Sequence, residues 1–247
     1  MDAGGYEHQP GGSLIPLSSV VAHLAAMLLA APPASPAVAE VVGRVLAAYG
    51  GRAALERYPV VVQEGEVSAH ESRDTGRLTR IFERPRRLRV VVSYPGAAIE
   101  RRILDGAQAW RDRREVTGSP PQGAMVLQAV RMDLPLRLAG ALDHLVDEGV
   151  LERGGKRYRA VTLPLGEGMS VTAEIDEATG RIGRSLARMP AGAGSLEFVT
   201  AFSDFREVSG TWVAFREENY VAGRHSGTTE LRTVEYLAEA PTGAFRP

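Results

Sequence analysis

Apolar and polar positions alternate with a period of two along most of the chain, as expected of strands with one buried face. The clearest case is residues 169–176, where Met169, Val171, Ala173 and Ile175 alternate with Ser170, Thr172, Glu174 and Asp176. Similar runs predict five strands at 60–69, 76–83, 86–94, 97–104 and 107–113. Six more follow at 157–165, 168–176, 181–189, 195–206, 211–221 and 226–237. Short turn signals separate them, among them Pro95-Gly96, Asp105-Gly106, Thr179-Gly180 and Ser209-Gly210, so neighbouring strands should pair antiparallel. Asp105-Gly106 is the strongest of these, because Asp-Gly between two strands favours a tight hairpin with positive φ at both central positions.

One stretch breaks the period. Residues 124–130 are apolar nearly all the way round a helix, which suits a helix wrapped by other structure. Asp133 can then cap a second helix whose first turn holds Pro135. Leu134, Leu138, Leu142 and Leu145 recur on one face of it at helical spacing. A further helix is expected over 40–57, with Val41, Val45, Leu46, Ala48 and Leu55 as apolar positions and Gly50-Gly51 as an interruption. About eleven antiparallel strands should curl rather than lie flat, and curling creates a concave face. The expected fold is therefore mainly β: a single highly curved antiparallel sheet of about eleven strands, an unclosed β-barrel. An N-terminal helix precedes it, and a central helical insertion, residues 118–146, lies on the concave side.

Composition narrows the class. The 247 residues are 44% hydrophobic and 24% charged, which fits one sizeable globular domain, and a net charge of -1 gives no electrostatic footprint for nucleic acid. Lys156 is the sole lysine, so the basic charge is almost all arginine, a side chain suited to carboxylates and phosphates. The absence of cysteine excludes disulfides, thiolate metal sites, thiol catalysis and an acylated N-terminal cysteine. Residues 20–30 form an apolar core of signal-peptide length, and Ala37-Val38-Ala39 reads as an A-x-A cleavage site. No Lys or Arg precedes it, which departs from the usual pattern. The expectation is an export leader at 1–39 and one domain at 40–247, with a misassigned start or a buried apolar helix as alternatives. The exported form would be almost neutral.

Catalytic signatures are weak. His8, His23, His70, His144 and His225 are scattered without metal-ligand spacing. Gly166-Glu167-Gly168-Met169-Ser170 places its serine wrongly for a nucleophile elbow, and Gly192-Ala193-Gly194 precedes no helix. Asp204, Glu207, Glu217 and Glu218 read as solvated acids at strand ends, since acid–base catalysis needs a positioned partner. No cofactor is implied.

Several segments in order resemble the LolA/LolB-like periplasmic lipoprotein-carrier superfamily, with RseB-like stress sensors as relatives. They are residues 47–51 (Ala-Ala-Tyr-Gly-Gly), Arg84-Pro85-Arg86, the hairpin-then-Trp pattern at 104–110, and Ile175 through Arg181. Residues 205–215 and the terminal 240–247 complete the set. The resemblance implies an unclosed eleven-stranded barrel capped by helices, with an apolar cavity for acyl chains, in a carrier or sensor rather than a catalyst. The N-terminal cysteine of the receptor branch is missing here.

Candidate cavity residues are Trp110, Met125, Leu127, Val130, Met132, Leu134 and Leu138, with Phe198, Phe202, Val213 and Phe215 from strands. They could equally pack together as an ordinary core. Arginines crowd the first strands, and Arg86, Arg87, Arg101 and Arg102 could form a rim for lipid headgroups or an acidic partner, although cross-strand pairing with Glu83, Glu100 and Asp112 accounts for most of that charge. The leading expectation is an exported, periplasmic, non-catalytic binder whose partners are lipid or lipoprotein acyl chains and a membrane-associated protein. The alternative is an RseB-like regulatory module, and an enzyme would require a buried polar cluster inside the cavity.

Overall fold

The computed structural model describes Met1, residues 36–71 and residues 74–247. Two helices, α1 (Pro36–Ala48) and α2 (Arg52–Glu56), precede the first group of strands. These are β1 (Val60–Ala69), β2 (Thr75–Glu83), β3 (Arg87–Ser93), β4 (Glu100–Asp105), β5 (Gln108–Arg111) and β6 (Arg114–Glu115). Helices α3 (Pro120–Met132) and α4 (Leu134–Gly140) follow. The second group is β7 (Val146–Arg153), β8 (Lys156–Gly166), β9 (Met169–Asp176), β10 (Ile182–Ala191), β11 (Gly194–Val208), β12 (Thr211–Val221) and β13 (Arg224–Leu237).

All thirteen strands belong to one antiparallel sheet in the order β6-β5-β4-β3-β2-β1-β13-β12-β11-β10-β9-β8-β7, which does not close into a barrel. Every neighbour pair is sequential except β1–β13. The sheet edges, β6 and β7, are therefore the two strands that flank the helical insertion. The chain passes from one edge to the other through α3 and α4, and α3 touches β3, β4 and β5 on one side and β9 and β10 on the other. Breaks in register at Glu64/Gly65, Asp147/Gly149, Ile182/Arg184 and Asn219/Tyr220 add local bend and twist.

The count exceeds the expected eleven at the two edges. β6 is only two residues, paired back on β5 through Asp112 and Arg113, which adopt φ of 49° and 69°. β7 occupies ground next to the expected second helix. That helix stops at Gly140, Leu142–His144 forms a single 3-10 turn, and Val146 already pairs with Thr162. Leu142 and Leu145 thus continue the helical spacing without the helix. Asp133 forms no side-chain cap on α4; its carboxylate instead accepts from Arg84 Nε at 2.9 Å. In the β4–β5 hairpin Asp105 pairs with Gln108, so the turn residues are Gly106 and Ala107, and Gly106 takes the positive φ of 61°. Between α1 and α2, Gly50 has φ 100°, and a Cβ there would lie 2.1 Å from the Gly210 carbonyl oxygen. Only glycine fits.

The all-round apolar character of α3 has a direct cause in packing. Leu127 and Val130, continued by Leu134 and Leu138 of α4, pack with Val38, Val42 and Val45 of α1 and with Val161, Val171 and Ile175 of the sheet. Met125, Val126 and Ala129 face the other way, against Leu78, Phe82, Leu88, Val90 and Leu104. One helix thus serves two apolar clusters. A third cluster lies on the opposite face of the sheet, where the C-terminal Ala244 and Phe245 cover Val60, Ile81, Ile103 and Trp110.

Val38 falls within the expected 1–39 leader yet is 2% exposed and packs in the α1 cluster. Full burial of such a side chain is worth about 1.5–3 kcal/mol. A chain starting at Glu40 should therefore melt several degrees below one starting at Ser35, as read by calorimetry; equal melting temperatures would show that the first turn of α1 contributes nothing.

Candidate functional site

Strand periodicity decides which side chains enter the concavity. In β2, Leu78, Arg80 and Phe82 share the face that carries the α3 contacts, and in β12 the same holds for Phe215 and Glu217. Two buried charges therefore face each other. Arg80, 2% exposed, donates from Nη1 and Nη2 to the Glu217 carboxylate at 3.0 and 3.1 Å, and Glu217 is itself 5% exposed. Arg131, from the last turn of α3, donates to Glu217 Oε2 at 3.4 Å and to Thr200 Oγ1 at 2.7 Å. Thr200 donates on to Asn219 Oδ1 at 3.0 Å.

Burial alone would raise the Glu217 carboxyl, but the Arg80 and Arg131 guanidiniums outweigh it and hold its pKa at about 2. Burial lowers the pKa of Arg131, with Glu217 opposing. The buried acid is thus locked in its ionised form. That corrects the reading of Glu217 as a solvated strand-end acid. Asp204, exposed and ion-paired with Arg206, keeps that description.

Two cavities lie on either side of this network, and Arg131 and Glu217 line both. The larger, about 300 Å³, sits under α3 between Leu78, Val90 and Val92 on one side and Ala187, Phe198 and Val199 on the other, with Leu127 above. Arg80, Arg102, Glu100, Thr200, Asn219 and Tyr220 give it a polar wall. The smaller, about 120 Å³, is lined by Val61, Phe82, Met132, Leu134, Phe202 and Val213 among others. Arg84 stands at its margin, donating from Nη1 to the Tyr58 carbonyl at 2.7 Å, from Nη2 to the Leu55 carbonyl and from Nε to Asp133, which ties α2, the segment leading into β1 and the start of α4 together. Burial raises the Asp133 carboxyl although Arg84 and Arg137 oppose it.

The candidate residues divide accordingly. Leu127 and Phe198 line the larger cavity, and Met132, Leu134, Phe202 and Val213 the smaller. Met125, Val130, Leu138 and Phe215 are packed in the adjoining clusters. Trp110 lies on the other face of the sheet with Phe245. Its neighbour Ala109 points inward, so a one-residue step in β5 sets the tryptophan outside. Of the arginine rim, Arg102 lines the larger cavity. Arg86 is exposed in a turn; Arg87 pairs with Glu83 at 2.6 Å and Asp105 at 2.9 Å and lies over the Phe245 ring. Arg101 alternates with Arg102 and so belongs to the outer face.

The polar network was not anticipated, although period-two parity places Arg80 between Leu78 and Phe82 and Glu217 after Phe215. The histidines are also less scattered than their spacing suggests, since His70 and His225 rings lie 4.8 Å apart. Among the described residues no group of His, Cys, Asp or Glu could hold a metal ion, and no helix is long and apolar enough to cross a membrane.

No protein-family model matches the chain. No curated protein matches it in sequence. Solved structures do match. A LolA-superfamily protein from Nitrosomonas europaea aligns with a TM-score of 0.54 at 13% identity, over 82% of this chain and 96% of that one. A DUF1329 family protein from Desulfovibrio piger aligns with a TM-score of 0.54 at 10% identity, over 87% of this chain and 98% of that one. The chain has the LolA-like fold.

Removing one member of a buried charge group strands the others, at a typical cost of about 3–5 kcal/mol. Glu217→Gln should therefore lower the unfolding free energy by about that amount at neutral pH, measured by urea titration. The Glu217 pKa is depressed on folding, so its contribution is full above the ordinary value of 4.5 and is lost as pH falls towards about 2. The wild type should lose stability across that window, and the Gln variant should lack this component. An identical acid slope in both would contradict the arrangement.

Proposed function

We propose that this protein is a non-catalytic binder that holds a lipid, an acyl chain or an acylated protein on the concave side of its sheet. The observation that carries the reading is the cavity of about 300 Å³ beneath α3, walled by Leu78, Val92, Leu127, Phe198 and Val199. That volume is at the lower end of the range for small-molecule sites. An acyl chain entering it is driven by the hydrophobic effect, at about 0.8 kcal/mol per methylene buried. Similarity of fold to a LolA-superfamily structure supports the same reading.

An export leader at 1–39 and action in a periplasmic space, delivering to or receiving from a membrane-associated partner, complete the proposal. Cleavage after Ala39 then leaves α1 to begin at Glu40, without Val38. The buried polar cluster has the position that an enzymatic site would need but not the chemistry. A carboxylate with a pKa of about 2 is a poor general base near neutrality, and both of its partners are arginines.

Displacement of a fluorescent fatty acid from the purified protein tests the reading. Saturable binding with competition by unlabelled fatty acid is expected, and Phe198→Ala should change that affinity while the fold is retained. No saturable binding, together with no lipid carried through purification by mass spectrometry, would remove the carrier reading in favour of a protein-interaction module.

A further inference from the structure

The larger cavity carries more positive charge than its own acids neutralise. Three arginines, Arg80, Arg102 and Arg131, line it against two glutamates, Glu100 and Glu217. Glu217 is already committed to Arg80 and Arg131. Glu100 lies 3.5 Å from Arg102 but is shared at the same distance with Arg111. The Nε groups of Arg80 and Arg102 are buried and make no hydrogen bond. Strand register sets Arg80 opposite Val90 and Val90 opposite Arg102, so both guanidinium stems stand in one row across β2, β3 and β4. Burial lowers the pKa of Arg102, Glu100 opposes it, and the neighbouring charge of Arg80 lowers it further. Three cations that share two carboxylates thus line a space whose other wall, Leu127, Phe198 and Val199, is apolar.

Resting on the lipid-binding reading, we propose that the cavity selects single-chain amphiphiles with a compact oxyanion head, carboxylate or phosphate monoester. The head lies against Arg102 and Arg131, and the chain lies along the Leu127–Phe198 wall. Charge-assisted hydrogen bonds to the oxyanion complete the donors that Glu217 and Glu100 leave over. A neutral head in the same place leaves them unpaired, which is the basis of the discrimination. Arg102 is the residue to alter, because the Arg80–Glu217 pair does not depend on it.

Titration calorimetry with decanoate, decyl phosphate and 1-decanol tests the proposal. The wild type should bind both anionic ligands about tenfold or more tighter than 1-decanol, a gap of about 1.4 kcal/mol. Arg102→Met should shrink that preference, with decanoate and decyl phosphate losing more affinity than 1-decanol. Equal affinity for decanoate and 1-decanol in the wild type overturns the proposal and leaves the lipid-binding reading standing; so does an undiminished preference in a folded Arg102→Met protein. Should that variant fail to fold, the wild-type comparison alone decides. Inorganic phosphate displacing decanoate at comparable concentration would show a small-oxyanion site and overturn the amphiphile. Failure of all three chains to bind overturns both this proposal and the lipid-binding reading.

Discussion

A glutamate held between two arginines on the concave face is the constraint on which the interior depends. Arg80 comes from β2, Glu217 from β12 and Arg131 from α3. β2 and β12 stand on opposite sides of the β1–β13 junction, so the pair ties the two halves of the sheet across the point where they meet. Arg131 then fastens the helix to the same point. None of the three charges could be desolvated alone, since an unpaired ion in such surroundings costs several kcal/mol. The arrangement stands between the two cavities, and Arg131 and Glu217 line both.

The helices are placed by connectivity as much as by affinity. Because β6 and β7 are the two edges of one open sheet, the segment between them must travel from edge to edge. Crossing the concave face is the route that buries the apolar surface of α3 on both of its sides. The same segment then roofs the cavities. The C-terminal residues act on the reverse side, where Ala244 and Phe245 seal apolar positions that would otherwise face water.

Much of this was legible in sequence, and the failures have physical reasons. Period-two alternation and turn residues located all the strands but β6 and β7, and the resemblance at 104–110 and 175–181 pointed to the right fold. β6 is too short to carry a period. β7 was hidden because Leu142 and Leu145 prolong a helical spacing beyond Gly140, where the helix ends, and because Gly149 sits at a register break. The buried network was missed for a different reason. Residue type alone assigns charged side chains to solvent, whereas alternation with Leu78 and Phe82, and with Phe215, assigns Arg80 and Glu217 to the interior. Trp110 shows the converse: it is apolar and large, yet parity with Ala109 puts it on the outer face. Whether apolar residues enclose space or fill it depends on three-dimensional fit, which no linear pattern encodes.

The claim that the concavity is ligand space is tested most directly by a crystal structure of the protein grown with decanoate. The account predicts density for the chain beneath α3, beside Leu127 and Phe198, with the carboxylate near Arg102 and Arg131. Density confined to the outer surface, or a cavity closed by inward movement of α3 with no ligand beneath it, would contradict it.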